Sequence, residues 1–162
     1  MYKSLQLKIL FIFGLLVFAS CAPAVPKAST PVSEEELNAA IKEAQGSMDT
    51  LLQAMIAPKP SYDFLGIKVR FTNRDGEPDD NWVEPVEYAD GRFVVQMMDS
   101  LTYDTNLHAD HTLDVPAKKV VDWMIVEKDG TLLGGYTIRL AYQHMSQDEK
   151  KEFLRITKYK LK

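Results

Sequence analysis

The chain has 162 residues, 46% of them hydrophobic, and its 19 Lys and Arg against 23 Asp and Glu give a net charge of −4. An acidic balance excludes nucleic acid as an expected partner, because phosphate neutralisation needs clustered Lys and Arg. One cysteine excludes an internal disulfide, and the length suits a single domain.

Lys3 and Lys8 open the chain with positive charge, Ile9 to Phe18 is an unbroken apolar run, and the small residues Ala19 and Ser20 precede Cys21. That order describes a secretory signal over residues 1–20. A run of about ten apolar residues is short for a membrane span, which needs about 20. The stretch Phe18-Ala19-Ser20-Cys21 resembles the lipobox of bacterial lipoproteins, with Phe18 where that pattern prefers Leu. The resemblance implies cleavage before Cys21, acylation of its thiol and attachment to the membrane through the lipid. Ala22, rather than Asp, after the cysteine implies the periplasmic face of the outer membrane. A diacylglyceryl group supplies the second chain that stable anchoring requires. Loss of residues 1–20 removes two lysines and no carboxylate, taking the net charge to −6. Residues 21–32 carry three prolines and read as an extended tether of roughly 30 Å, leaving 33–162 as one domain.

Ser33-Glu34-Glu35-Glu36 is a capping box. Behind it Leu37, Ala40, Ile41, Ala44, Met48, Leu51, Leu52 and Met55 recur on one face of an amphipathic helix that Pro58 stops, with Gly46-Ser47 as its weak point. Its polar face is acidic, so it is expected to pack on the domain core rather than lie on a membrane. From Tyr62 the period shifts to two. Asp75-Gly76, Asp90-Gly91 and Asp129-Gly130 mark hairpins that pair 65–72 with 81–88, 81–88 with 92–99, and 118–127 with 131–138. Pro85 puts the second strand at an edge or a bulge. Residues 101–114 read as a polar loop leading to a short strand at 112–115. Residues 136–145 fit helix and strand equally. A second capping box, Ser146 to Glu149, opens a helix through about Lys158. The expected class is α+β: an N-terminal amphipathic helix, a mainly antiparallel sheet of about five strands, and C-terminal helical structure.

Asp122 interrupts the run Val120 to Val126, which is apolar on both faces and therefore central. A carboxylate there has to be paired or protonated. A two-residue turn at Asp129-Gly130 sets Asp122 opposite Thr137, with Arg139 diagonally across on the same face and Trp123 facing Tyr136 on the other. The expected cluster is Asp122, Thr137 and Arg139, with Trp82, Trp123 and Tyr136 beside it. It reads first as a structural ion pair that fixes register, second as a ligand site in which Arg139 holds an anion, and last as a catalytic carboxylate. His108, Asp110 and His111, with His144 far off, have the donors for zinc but no supporting element, and read as a solvated acidic loop; no metal or cofactor is expected. No Gly-x-Ser-x-Gly elbow or phosphate loop occurs, and Gly134-Gly135 lacks the spacing of a dinucleotide fingerprint. Trp82, Tyr88, Phe93, Trp123, Met97 and Met98 are expected in the core.

Lys68-Val69-Arg70-Phe71, Asn81-Trp82-Val83, Val121-Asp122-Trp123-Met124 and Asp129 to Arg139 (DGTLLGGYTIR) resemble the YegJ-like family (domain-of-unknown-function family 2314) over about 64–153. The resemblance implies domain boundaries and no mechanism, though it includes Asp122 and Arg139. The leading expectation is a non-enzymatic envelope lipoprotein whose domain binds another envelope protein. The alternatives are a small-molecule binder or enzyme using Asp122, Thr137 and Arg139, and a toxin-immunity protein whose acidic face complements a basic target. A pocket of at least about 300 Å³ reaching Arg139 would favour the small-molecule reading, and a flat, acidic or aromatic patch the others.

Overall fold

Both capping boxes close as the sequence implies. In a computed structural model that describes residues 25–26, 28–98 and 111–161, the Ser33 hydroxyl accepts from the Glu36 amide while the Glu36 carboxylate accepts from the Ser33 amide, and Ser146 and Glu149 repeat the arrangement. They open α1 (Glu34–Gly46) and α4 (Gln147–Thr157). The apolar face of 33–57 is divided between α1 and a second helix, α2 (Met48–Ile56), with the break at Ser47. Gly46 supplies the weak helix propensity there.

Among the described residues six strands follow: β1 (Tyr62–Thr72), β2 (Pro78–Ala89), β3 (Arg92–Met97), β4 (Thr112–Pro116), β5 (Val120–Glu127) and β6 (Leu132–Gly134). They form one sheet in the order β4-β3-β2-β1-β5-β6, all pairs antiparallel. The sheet thus has one strand more than the expected five. Pro85 lies in an interior strand, and the ladder shifts register between Pro85 and Glu87, leaving Val86 as the extra residue of a bulge.

Of the three Asp-Gly pairs only Asp90-Gly91 makes a two-residue turn, with positive φ at both positions (50° and 74°). At Asp129-Gly130 the loop has three residues: the Glu127 amide donates to Thr131 O (2.9 Å) and only Gly130 has a positive φ. The pairing is therefore Met124↔Gly134 and Val126↔Leu132, one residue away from the two-residue register. The expected strand 131–138 also ends early. Gly134 and Gly135 both sit in the left-handed region (φ 66° and 65°), which turns the chain out of the sheet into α3 (Tyr136–Gln143). The ambiguous segment is a helix.

The main core lies between α1, α2 and one face of the sheet: Ala44, Leu51, Ala54, Ile67, Val69, Val83, Phe93, Val95 and Ile125 are buried together. Trp123 fixes the helices to it, since its indole N–H donates to Ala44 O (2.9 Å) and lies 3.1 Å from Ser47 Oγ. On the opposite face Met124 is covered from the C-terminal side, where Tyr159 Oη reaches its sulfur (4.0 Å) and Tyr159 packs edge-on against Phe153.

A methyl group on Gly134 would strike the Trp123 carbonyl and ring, whereas one on Gly76 meets nothing. We expect Gly134→Ala to destabilise by about 2–4 kcal/mol, through left-handed strain and overpacking, read as a fall in Tm of roughly 10 °C. Gly76→Ala, at φ 84° in open space, should cost about 1 kcal/mol. Equal Tm values for the two variants would sink this account of the β6–α3 turn.

Candidate functional site

The site grows from one carboxylate in an apolar strand. Asp122 is 0% exposed, and both of its oxygens accept two hydrogen bonds. Oδ1 takes the amides of Trp123 (2.8 Å) and Tyr136 (3.1 Å), and Oδ2 takes the amide (2.7 Å) and the hydroxyl (2.7 Å) of Thr137. Tyr136 and Thr137 are the first two residues of α3, and the residue at its N-cap is Gly135, which has no side chain with which to cap. Asp122 supplies from β5 the oxygens that an N-cap Asp would supply locally. Its negative charge also faces the positive end of the helix dipole. Burial pushes the carboxyl above the ordinary Asp range, while hydrogen bonds from Thr137, Trp123 and Tyr136 pull in the opposite direction.

Long-range pairing adds a cation that the sequence reading missed. Lys68 stands opposite Asp122 on one side and opposite Trp82 on the other. Its ammonium donates to Thr137 Oγ1 (3.4 Å) and lies 5.8 Å from the centroid of the Trp82 ring. Trp82, Lys68, Thr137 and Asp122 therefore form a string on the sheet face away from α1 and α2. The alternation Ile67-Lys68-Val69 does place Lys68 on the polar face of β1, but no local signal pairs β1 with β5. Among the described residues no ion pair involves Asp122.

Arg139 is elsewhere. Its Nε donates to Gly134 O (2.8 Å) and its Nη2 to Leu132 O (2.6 Å), so the guanidinium braces the end of β6. The diagonal placement beside Asp122 fails because it depended on the two-residue turn and on a strand at 136–139. Trp123 and Tyr136 do meet, edge-on with centroids 6.1 Å apart, through the start of α3 rather than across a ladder.

Tyr136 and Arg139 line two open clefts. One, of 330 Å³, lies between α1 and α3 with Glu36 and Glu43 on its wall. The other, of 440 Å³, is bounded by Thr50, Trp123, Glu127 and Thr131. The Thr131 hydroxyl is buried with no hydrogen-bond partner among the described residues. Asp122 and Thr137 line neither cleft.

His108 and Asp110 lie outside the described residues, as does Cys21. His111 directly precedes β4, and His144 pairs with Glu36 (3.1 Å) where α3 ends. Among the described residues no group of three or more His, Cys, Asp or Glu is placed to hold a metal ion. Of the residues expected in the core, Phe93, Met97 and Trp123 are buried, Trp82 is half-buried, and Tyr88 and Met98 are exposed. No helix of the described residues is long and apolar enough to cross a membrane.

The architecture defines an α+β domain in which a sheet carboxylate caps a helix. The chain belongs to the DUF2314 family of uncharacterized proteins conserved in bacteria, whose sequence profile matches residues 34–158. That span runs from the first residue of α1 to the C-cap of α4, so it takes in α1 and α2 as well as the 64–153 stretch. No curated protein and no solved structure matches the chain.

Asp122→Asn replaces one accepting oxygen with an amide donor facing helix N–H groups. We expect a loss of about 2–4 kcal/mol in unfolding free energy. The native carboxyl holds its proton to higher pH than the unfolded one, so its contribution is full below the ordinary Asp value of about 4 and falls as pH rises through the raised native value. Denaturant titrations of wild type and variant at several pH values give the difference curve. A difference that grows with pH would overturn the raised value.

Proposed function

We propose that the chain is a lipoprotein of the bacterial cell envelope, cleaved after Ser20, acylated on Cys21 and tethered by residues 21–32, with a domain that acts by binding another protein. The observation that carries the binding reading is the commitment of Asp122. The single buried carboxylate among the described residues is held by four donors at the root of a helix, away from both clefts that reach Arg139. A general acid or base has to come within hydrogen-bond reach of a reacting group, and this one is enclosed by its own chain. The sequence from Lys3 to Cys21 supports the anchor, and Ala22 supports the outer membrane with the domain in the periplasm. A toxin-immunity role is a special case of the same reading, differing in the partner.

Intact mass of the protein purified from its native membrane is the direct test. The expected species begins at Cys21 and carries acyl mass, and Cys21→Ser abolishes the added lipid and membrane retention. A product that keeps Met1, or that lacks lipid, sinks the anchor. Crosslinking in cells tests the second half, with a discrete adduct to one envelope protein expected.

A small-molecule reading has an observation of its own: clefts of 330 and 440 Å³ both reach Tyr136 and Arg139, within the size range of ligand sites. In this form the site is those clefts, and Asp122 and Thr137 support the helix that forms one wall. Native mass spectrometry of the purified chain would show a co-purifying ligand that Arg139→Ala loses. A bare protein ends this second reading.

A further inference from the structure

Among the described residues of the domain, three of the four exposed large apolar side chains lie together, and the fourth, Met98, stands apart just past the end of β3. Ile56 (77% exposed), Val86 (57%) and Tyr88 (39%) line one shallow groove together with Leu52 and Met55. Two independent irregularities build it. α2 ends at Ile56, just before Pro58, which leaves the last aliphatic side chain of the helix outside the core. The bulge after Pro85 ejects Val86 from the ladder beside it. A bulge re-aims a side chain, and here it aims a β-branched apolar group into solvent next to another. Such a cluster, rimmed by polar residues, marks an interaction surface.

The rim selects the occupant. Glu87 lines this groove, and Asp63 and Glu84 line the adjoining one, which shares Met55 and Val86. Among the described residues that line the two grooves the single cation is Lys59, which lies over the Tyr62 ring (5.7 Å). Three carboxylates around an apolar groove disfavour a second copy, because a two-fold contact would bring six of them together. They equally disfavour an anionic lipid surface. The complementary ligand is an apolar side chain flanked by Lys or Arg.

We propose that the Leu52–Met55–Ile56–Val86–Tyr88 groove is the docking site for a segment of a partner protein that presents an apolar anchor between basic residues. This rests on the binding-module reading above and assigns that reading its surface. Ile56 and Val86 are exposed, so their replacement by Ser leaves the fold intact, and an unchanged Tm verifies it.

The test uses the chain purified from its native membrane in a neutral detergent and two fluorescent peptides with the same Leu-Phe-Leu centre, one flanked by Lys and one by Glu. The Lys-flanked peptide is expected to bind at least about tenfold more tightly, and to weaken as salt is raised. Ile56→Ser/Val86→Ser should reduce its affinity by about tenfold or more with both peptides compared, and Glu84→Gln/Glu87→Gln should remove the preference for the Lys flanks. Equal binding of the two peptides, binding unaffected by the Ser variants, or no binding overturns the proposal. So does concentration-dependent dimerisation, or adsorption to phosphatidylglycerol vesicles, that the Ser variants abolish. Failure here is separable from failure of the broader reading: an in-cell crosslinked adduct that persists in Ile56→Ser/Val86→Ser retains the binding module and moves its surface elsewhere.

Discussion

The carboxylate of Asp122 is the interaction on which the arrangement of the domain depends. An unpaired charge on a strand buried on both faces would cost several kcal/mol, and four donors, two of them the opening amides of α3, offset that cost. The adjacent residue works on the other side. Trp123 points to the opposite face of β5 and binds the junction of α1 and α2. Two consecutive residues thus fix three helices to one strand, and the alternation of side chains along a strand makes this possible. A one-residue slip of β5 would exchange the two faces, pulling the carboxylate into the core and the indole away from α1.

Much of this was legible in the sequence where the signal is local. The capping boxes, the break at Gly46-Ser47, the bulge at Pro85 and the buried carboxylate each follow from the chemistry of a few neighbouring residues. The site was only half legible, for two physical reasons. Asp-Gly fits both two-residue and three-residue loops, and the longer loop at 128–130 moves the register by one. Gly134-Gly135 can end a strand as readily as bend one, and two left-handed residues in succession convert the expected strand into α3. Asp122 and Thr137 still meet, because the helix start occupies the place where the strand would have continued. Arg139 does not follow, since three residues along a helix lead away from the strand. Lys68 was invisible for a different reason: β1 and β5 are more than 50 residues apart, and no periodicity encodes which strands become neighbours.

The polar string Trp82–Lys68–Thr137–Asp122 has the residue types of a functional centre and the bonding of a structural one. Thr137 decides between them. Its hydroxyl donates its one proton to Asp122 and accepts from Lys68, so the carboxylate meets the lysine only through a neutral group. Charge separated in this way holds the helix end and the outer sheet face in register. An anion-binding or proton-transfer centre needs its charged groups turned toward a ligand, whereas these are turned toward one another and toward main chain.

The exposed apolar groups show the opposite economy. Nothing in the packing of the sheet requires a proline in an interior strand, where it removes a ladder donor and is otherwise confined to edges and bulges. The bulge that accommodates Pro85 keeps that ring buried and places Val86 outside, beside the unburied end of α2. A polar residue at position 86 would satisfy the fold equally well, because the side chain there contributes little to the core. The valine is therefore not set by what lies beneath it, and the docking proposal stands on that ground. The interior polar groups are turned toward one another and toward main chain, while the apolar groups at the end of α2 and at the β2 bulge stay open to solvent.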